Sequence, residues 1–348
     1  MSRWPGGLIR KTAITPAGPF QDGAAPGVWT IMEAAYWVKQ GLWPLAGNVV
    51  PIAVFSGGSG ASSSTLLSIN IATLGNTSTF GTYTVDGITP TRTSATGSST
   101  RGLFSGNGND GYGNGIYYIT IATTGTAADF GDLTVARYDT VGMSNAVRSV
   151  TAGGYDFADR SNVIDYVTIA STGNSTDFGD ATVGFYNGPA GFASSTRGVF
   201  GLGIAAGSSR VNTIEYITIS STGNSTDFGD LTANKSYVCG ASNNTRGIFC
   251  GGSLTGNVPT NVIEYVTIAS TGNATDFGDL TQAALQSSAA ASPTRLIRGG
   301  GANGEGVNFN VIDFVTISTT SNATDFGDLS FVRSLLSACC SGTASAQA

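Results

Sequence analysis

Asn261-Val-Ile-Glu-Tyr-Val-Thr-Ile-Ala-Ser-Thr-Gly-Asn-Ala-Thr-Asp-Phe-Gly-Asp-Leu-Thr281 is the stretch that decides the fold, because the chain repeats it. Near-verbatim copies occupy residues 162–182, 212–232 and 310–330, a looser one 115–134 and a degraded one 66–84. The phenylalanine of each copy (Phe80, Phe130, Phe178, Phe228, Phe277 and Phe326) falls about 49 residues after the last, the period of a four-stranded propeller blade.

The fifth unit divides into four strands: 235–243, 245–252 ending on Gly251-Gly252, 261–270 and 275–281. Gly272-Asn273 supplies the hairpin turn between the last two. The third strand carries large apolar residues on both faces (Ile263, Tyr265, Val266, Ile268), which suits a sheet sandwiched between two others. The repeat phenylalanine is then an inter-blade wedge. Burying one stabilises by about 1.5–3 kcal/mol, and truncating it to Ala costs about 3–5 kcal/mol. Gly278 beside it lets two backbones approach closely.

Counting units exposes a gap and its remedy. The first unit opens at residues 49–58 on a second strand and lacks a first. Residues 331–341 read as a first strand with nothing after it. Pairing the two gives an all-β, six-bladed ring of four antiparallel strands per blade, closed by the C-terminal strand, so no sheet edge stays open there. The propeller occupies 48–348.

Composition bounds the chemistry. The chain has 348 residues, 16 Lys and Arg against 22 Asp and Glu, a net charge of −6, and charged residues at only 11%. Lysine occurs at Lys11, Lys39 and Lys235 alone, so there is no basic cluster to hold nucleic acid. Histidine is absent, which removes the usual acid–base group, the usual zinc ligand and the usual hydrolase triad. No enzyme activity, cofactor or metal is expected. No apolar run reaches the roughly 18 residues that cross a membrane. No secretory leader is expected either, since residues 1–7 are not followed by an apolar core. The protein is expected to be made in a cytoplasm. The four cysteines lack metal-site spacing. Cys239 and Cys250 fall on neighbouring strands, either as buried thiols or bridged, whereas Cys339 and Cys340 would point to opposite faces of a strand.

Residues 1–47 differ from the rest and read as an N-terminal docking arm. All four tryptophans fall here, and Thr30 with Glu33 forms a capping box that starts a short helix over about 31–40, ended by Gly41. Its contact residues are Trp4, Trp29, Tyr36, Trp37 and Trp43. Two destinations are open to it: its own propeller, or another protein or copy, as in a homo-oligomer.

The strands ending in a glycine pair (Gly57-Gly58, Gly153-Gly154, Gly251-Gly252, Gly300-Gly301), followed in most units by Glu/Asp-Tyr and an aromatic, resemble the kelch family of β-propellers. Two units depart from the pair, with Gly106-Asn107 and Leu202-Gly203, and phenylalanine stands where kelch repeats generally have Trp. The segment 27–44 and the Asn-Ala-Thr-Asp-Phe-Gly-Asp-Leu wording resemble virion structural proteins of tailed, especially marine, phages. The resemblance implies a virion protein of a tail fibre, appendage or capsid decoration, bound to other virion proteins through the arm and showing the propeller to a host-surface glycan or receptor.

The repeat also carries the S/T-x-D-x-G core of the sialidase Asp box without its closing aromatic, so a sialidase-like hydrolase is the alternative, and an intracellular kelch-type scaffold a third. The paired carboxylates Asp177/Asp180, Asp227/Asp230, Asp276/Asp279 and Asp325/Asp328 are expected to cap turns rather than hold calcium. Arg101, Arg148, Arg197, Arg246 and Arg295 each precede a second strand and are expected to pair with repeat carboxylates; Asp165, Glu215, Glu264 and Asp313 read as structural. Ligand binding is expected on the variable loops between second and third strands, where Tyr112, Tyr155, Phe157 and Asp159 are the most ligand-like residues.

Overall fold

The structure is a computed structural model describing residues 50–60, 63–84, 89–108, 113–156, 158–201, 203–205, 207 and 209–341. The arm over 1–47, its helix over 31–40, and Trp4, Trp29, Tyr36, Trp37 and Trp43 lie outside them.

The described strands pair antiparallel into six blades, with no helix among the described residues. Blade 2 shows the plan: Ser94–Gly97 innermost, then Arg101–Asn107, Gly113–Thr120 and, outermost, Ala128–Asp132. The innermost strands of blades 3 to 6 are Val141–Ser144, Ala190–Ala193, Cys239–Ser242 and Ser288–Ala291. In blade 1 that place is taken by the chain's end: Ser337–Cys340 pairs with Ile52–Ser56 in the register Val54↔Cys339. Each innermost strand touches the next around the ring, which is therefore closed.

Strand limits differ from the expected ones in an instructive way. Lys235 ends the long fourth strand Thr226–Lys235 of blade 4, and the next blade begins only at Cys239. Between them the chain pivots from rim to axis at Tyr237, whose φ of 54° lies in the left-handed region and cannot continue a strand.

The core is six apolar clusters, one per blade interface. Phe178, Val150 and Ile164 of blade 3 meet Phe200, Ile217 and Ile219 of blade 4. Phe326 and Ile312 of blade 6 meet Phe55 and Ile69 of blade 1. Each repeat phenylalanine is buried in such a cluster, from Phe80 (4% exposed) to Phe326 (2%). In five blades it meets the third strand's aromatic residue edge-on, as in Tyr166–Phe178 with centroids 5.9 Å apart. Cys339 and Cys340 enter the clusters on opposite faces of blade 1, and all four cysteines are buried free thiols.

The repeated words around the phenylalanine build a latch to the following blade. Gly223 N–H donates to the Phe178 carbonyl at 2.7 Å and Ser225 N–H to the Asp180 carbonyl at 2.9 Å, while the Asn224 side chain accepts from Asp180 N–H at 3.0 Å. The same three bonds tie blade 4 to blade 5 through Gly272, Ala274 and Asn273. A Cβ on Gly278 would collide with the Ser321 carbonyl of the next blade, which is why glycine follows the phenylalanine. The outermost strand's free edge is thus satisfied by backbone from next door.

The arginines correct one expectation. Arg148 stacks 4.5 Å over the Tyr166 ring and donates to the Ile219 carbonyl of the next blade at 3.1 Å, rather than to a carboxylate. Arg101, Arg197, Arg246 and Arg295 repeat this on Ile169, Ile268, Ile317 and Ile71. Register explains it: Arg148 sits opposite Thr168, so Tyr166 is its diagonal neighbour on the same face.

The mid-strand carboxylates form a second latch. Asp165 accepts from Thr134 N–H at 3.2 Å and Thr134 Oγ1 at 2.6 Å, both in the preceding blade, and from Arg137 at 2.9 Å. Glu264 likewise holds Thr232 N–H at 2.7 Å and Lys235 Nζ at 2.6 Å. Glu215 takes Thr182 and Ser225; Asp313 takes Thr281 and Arg298. All four carboxylates are buried.

Candidate functional site

The inner strands surround an axial channel lined by small side chains such as Ala95, Gly142, Gly191, Gly240, Ala289 and Ala338. One end opens into a cavity of about 120 Å³; the other end holds about 70 Å³. The larger mouth is built where each fourth strand turns inward to start the next blade. That turn puts one non-glycine residue per blade in the left-handed region: Arg92, Asp139, Asn187, Tyr237, Gln286 and Leu335, with φ between 54° and 70°. Such a conformation costs a non-glycine residue on the order of 1 kcal/mol or more.

Backbone bonds link these residues from blade to blade. Asp139 N–H donates to the Arg92 carbonyl at 3.0 Å, Tyr237 N–H to Asn187 at 3.1 Å, Gln286 N–H to Tyr237 at 3.3 Å and Leu335 N–H to Gln286 at 2.8 Å. Their side chains are also joined. Arg92 Nη1 lies 3.3 Å from Asp139 Oδ2, and the side chains of Gln286 and Asn187 stand beside the Tyr237 phenol. Arg92 keeps its side chain 31% exposed, whereas Asp139 is 4% exposed. Burial pushes the Asp139 carboxyl up to about 6, with Arg92 pulling the other way. Burial and the nearby Asp139 charge raise the Tyr237 phenol, against the opposing pull of Arg92, Gln286 and Asn187.

The second-to-third-strand loops lie on this same face, because they bridge to the inward turns: Tyr155 to Tyr138, Ile204 to Tyr186, Ser253 to Ser236 and Ala302 to Leu285. Tyr155 stands between Tyr138 and Tyr186, with ring centroids 5.7 and 5.2 Å away, so it belongs to a three-tyrosine row. Asp159 is exposed on the same loop and bound to Arg160 at 3.0 Å. Tyr112 and Phe157 lie outside the described residues. Sequence reasoning missed the six mouth residues, because they share a position and no residue type. The signal is positional: Asp139, Asn187, Tyr237, Gln286 and Leu335 each follow a repeat phenylalanine by nine residues (130 to 139, 178 to 187, 228 to 237, 277 to 286, 326 to 335).

Among the described residues no group of three or more Cys, Asp or Glu is placed to hold a metal ion, and no helix is long and apolar enough to cross a membrane. Fold and mouth together define a closed six-bladed β-propeller with a polar axial opening. No protein-family model matches the chain, and no curated protein matches it significantly.

The mouth has a pH signature. Asp139 titrates at its ordinary 3.8 when unfolded and at about 6 when folded, so between these values the folded state holds the extra proton. The contribution of Asp139 to stability is therefore greatest below about pH 4, falls as pH rises to about 6, and is gone above, at most about 3 kcal/mol in all. Asp139→Asn should remove that fall. Urea unfolding of both proteins from pH 4 to 7 measures it, and parallel stability curves would refute the assignment.

Proposed function

We propose that this chain is a non-enzymatic structural protein of a phage virion: a kelch-like propeller carried by its N-terminal arm and displayed for recognition of a host surface. The observation that carries this reading is the division of labour among polar residues. The repeat arginines and mid-strand carboxylates are engaged between blades, as in Arg197 on the Ile268 carbonyl and Glu264 on Lys235. What varies from unit to unit is gathered on one face: the loops, the tyrosine row and the mouth. A scaffold with one variable face is a display device. The wording of the repeats and the tryptophan-rich leader support the virion setting, and paired glycines such as Gly251-Gly252, with φ of 61° and 105°, support the kelch likeness.

Deleting residues 1–47 tests the arm. Particles assembled with the shortened chain should lack it, while the purified remainder still folds. Incorporation at the normal level would sink the docking role. A hydrolysis assay on any glycan that an array captures tests the other half of the reading: release of product would make the protein a hydrolase.

A further inference from the structure

We infer that the axial mouth binds a neutral sugar residue, such as the terminal hexose of a glycan, through Arg92, Asp139, Tyr237 and Gln286. The inference rests on the display reading and adds a ligand class and a place. Three observations point to it. First, glycine would take the inward turn without steric strain, yet all six positions carry side chains in the left-handed region, and five of those six can hydrogen-bond. Second, the ring geometry brings Arg92, Asp139, Tyr237, Gln286 and Leu335 to one cavity of about 120 Å³, a few polar groups converging on a concave site. Third, the chemistry is balanced. A guanidinium offers donors, a carboxylate offers acceptors, an amide offers both, and the Tyr237 ring and Leu335 give an apolar surface for the C–H face of a pyranose.

Charge selects the sugar type. Arg92 already faces Asp139 at 3.3 Å, so the pair offers an anionic ligand no unmatched positive charge, and the Asp139 carboxylate repels one. Acidic sugars are therefore disfavoured. A neutral polyol can accept from Arg92 and donate to Asp139 without separating them.

The test titrates the full chain near pH 7 with glucose, galactose, N-acetylglucosamine and N-acetylneuraminic acid, by calorimetry and saturation-transfer NMR. At least one neutral sugar should bind saturably with a Kd on the order of 1 mM, the range that about a dozen heavy atoms reach at ordinary efficiency. Arg92→Gln and Gln286→Ala should each weaken it about tenfold or more, while Asp325→Asn on the exposed outer rim leaves it unchanged. Circular dichroism confirms that each variant is folded, and Tyr237→Phe serves as a further mouth variant. Absence of neutral-sugar binding, preference for the acidic sugar, or binding unmoved by the mouth variants would each overturn the inference. Glycan capture that is equal for wild type and mouth variants removes the mouth and leaves the display reading standing. Normal incorporation without residues 1–47 removes the arm-based display reading whatever the titration gives.

Discussion

A chain ending at Ser334 should fail to unfold as one cooperative unit, whereas a chain ending at Ser341 behaves like the full-length protein. The missing segment is short but completes blade 1, leaving only the contact with blade 6 to tie the two ends of the described chain together. Ser337–Cys340 pairs along Ile52–Ser56 on one side of blade 1, and Ser56 Oγ lies 2.8 Å from Ser337 Oγ. It also supplies Leu336 and Cys340 to the cluster against blade 6, and Cys339 to the cluster against blade 2. Deletion therefore opens a strand edge and empties part of two apolar interfaces at once. The loss is comparable to the roughly 5–15 kcal/mol that holds a typical domain together. Thermal and urea unfolding followed by near-ultraviolet circular dichroism measure it. A single sharp transition in the Ser334 chain, at the full-length midpoint, would show that the ring does not depend on its last strand.

The fold was legible because the same interface is built six times. Phe178, its following Gly179 and the Ser-Thr-Gly-Asn turn recur as one phrase since each blade presents its outer edge to its neighbour's turn, and every word is fixed by that contact. Closure was legible for the same reason: a unit missing one strand and a tail with one strand to spare satisfy each other. The arginines were misread because sequence shows which charges exist and hides which are within reach. Asp165 and Glu264 are occupied by threonine groups of the preceding blade and by Arg137 or Lys235, leaving Arg148 and Arg246 to find aromatic rings and carbonyls.

The candidate site was illegible for the opposite reason. Arg92, Asp139, Asn187, Tyr237, Gln286 and Leu335 have one backbone conformation and six different side chains, so no motif announces them. Tyr155 could be picked out as an aromatic in a variable loop, but its place between Tyr138 and Tyr186 depends on how the loop bridges back to the inward turn. A repeat advertises what holds it together, and the positions it leaves free are where a ligand can be read.

Replacing Lys235 with Met should cost about 3–5 kcal/mol of stability, the penalty for leaving a buried charge without its partner. Lys235 Nζ lies 2.6 Å from Glu264 Oε2, with side-chain exposures of 2% and 0%. The carboxylate keeps Thr232 N–H and hydroxyl as partners on its other oxygen, so the fold survives with one acceptor uncompensated rather than collapsing. The equivalent interface between blades 3 and 4 holds Phe185 where Lys235 stands, and there Glu215 takes the Ser225 hydroxyl instead. The ring thus contains a cation-free version of the same latch, which sets up the control. Lys235→Met with Glu264→Gln removes both charges while the amide oxygen still accepts from Thr232, so the double variant should recover most of the loss. Urea unfolding of the two single variants and the double gives the coupling energy directly. A Lys235→Met protein within about 0.5 kcal/mol of wild type, or a double variant worse than both singles, would show that the lysine does not compensate Glu264 and that the inter-blade latch is held by the threonine alone.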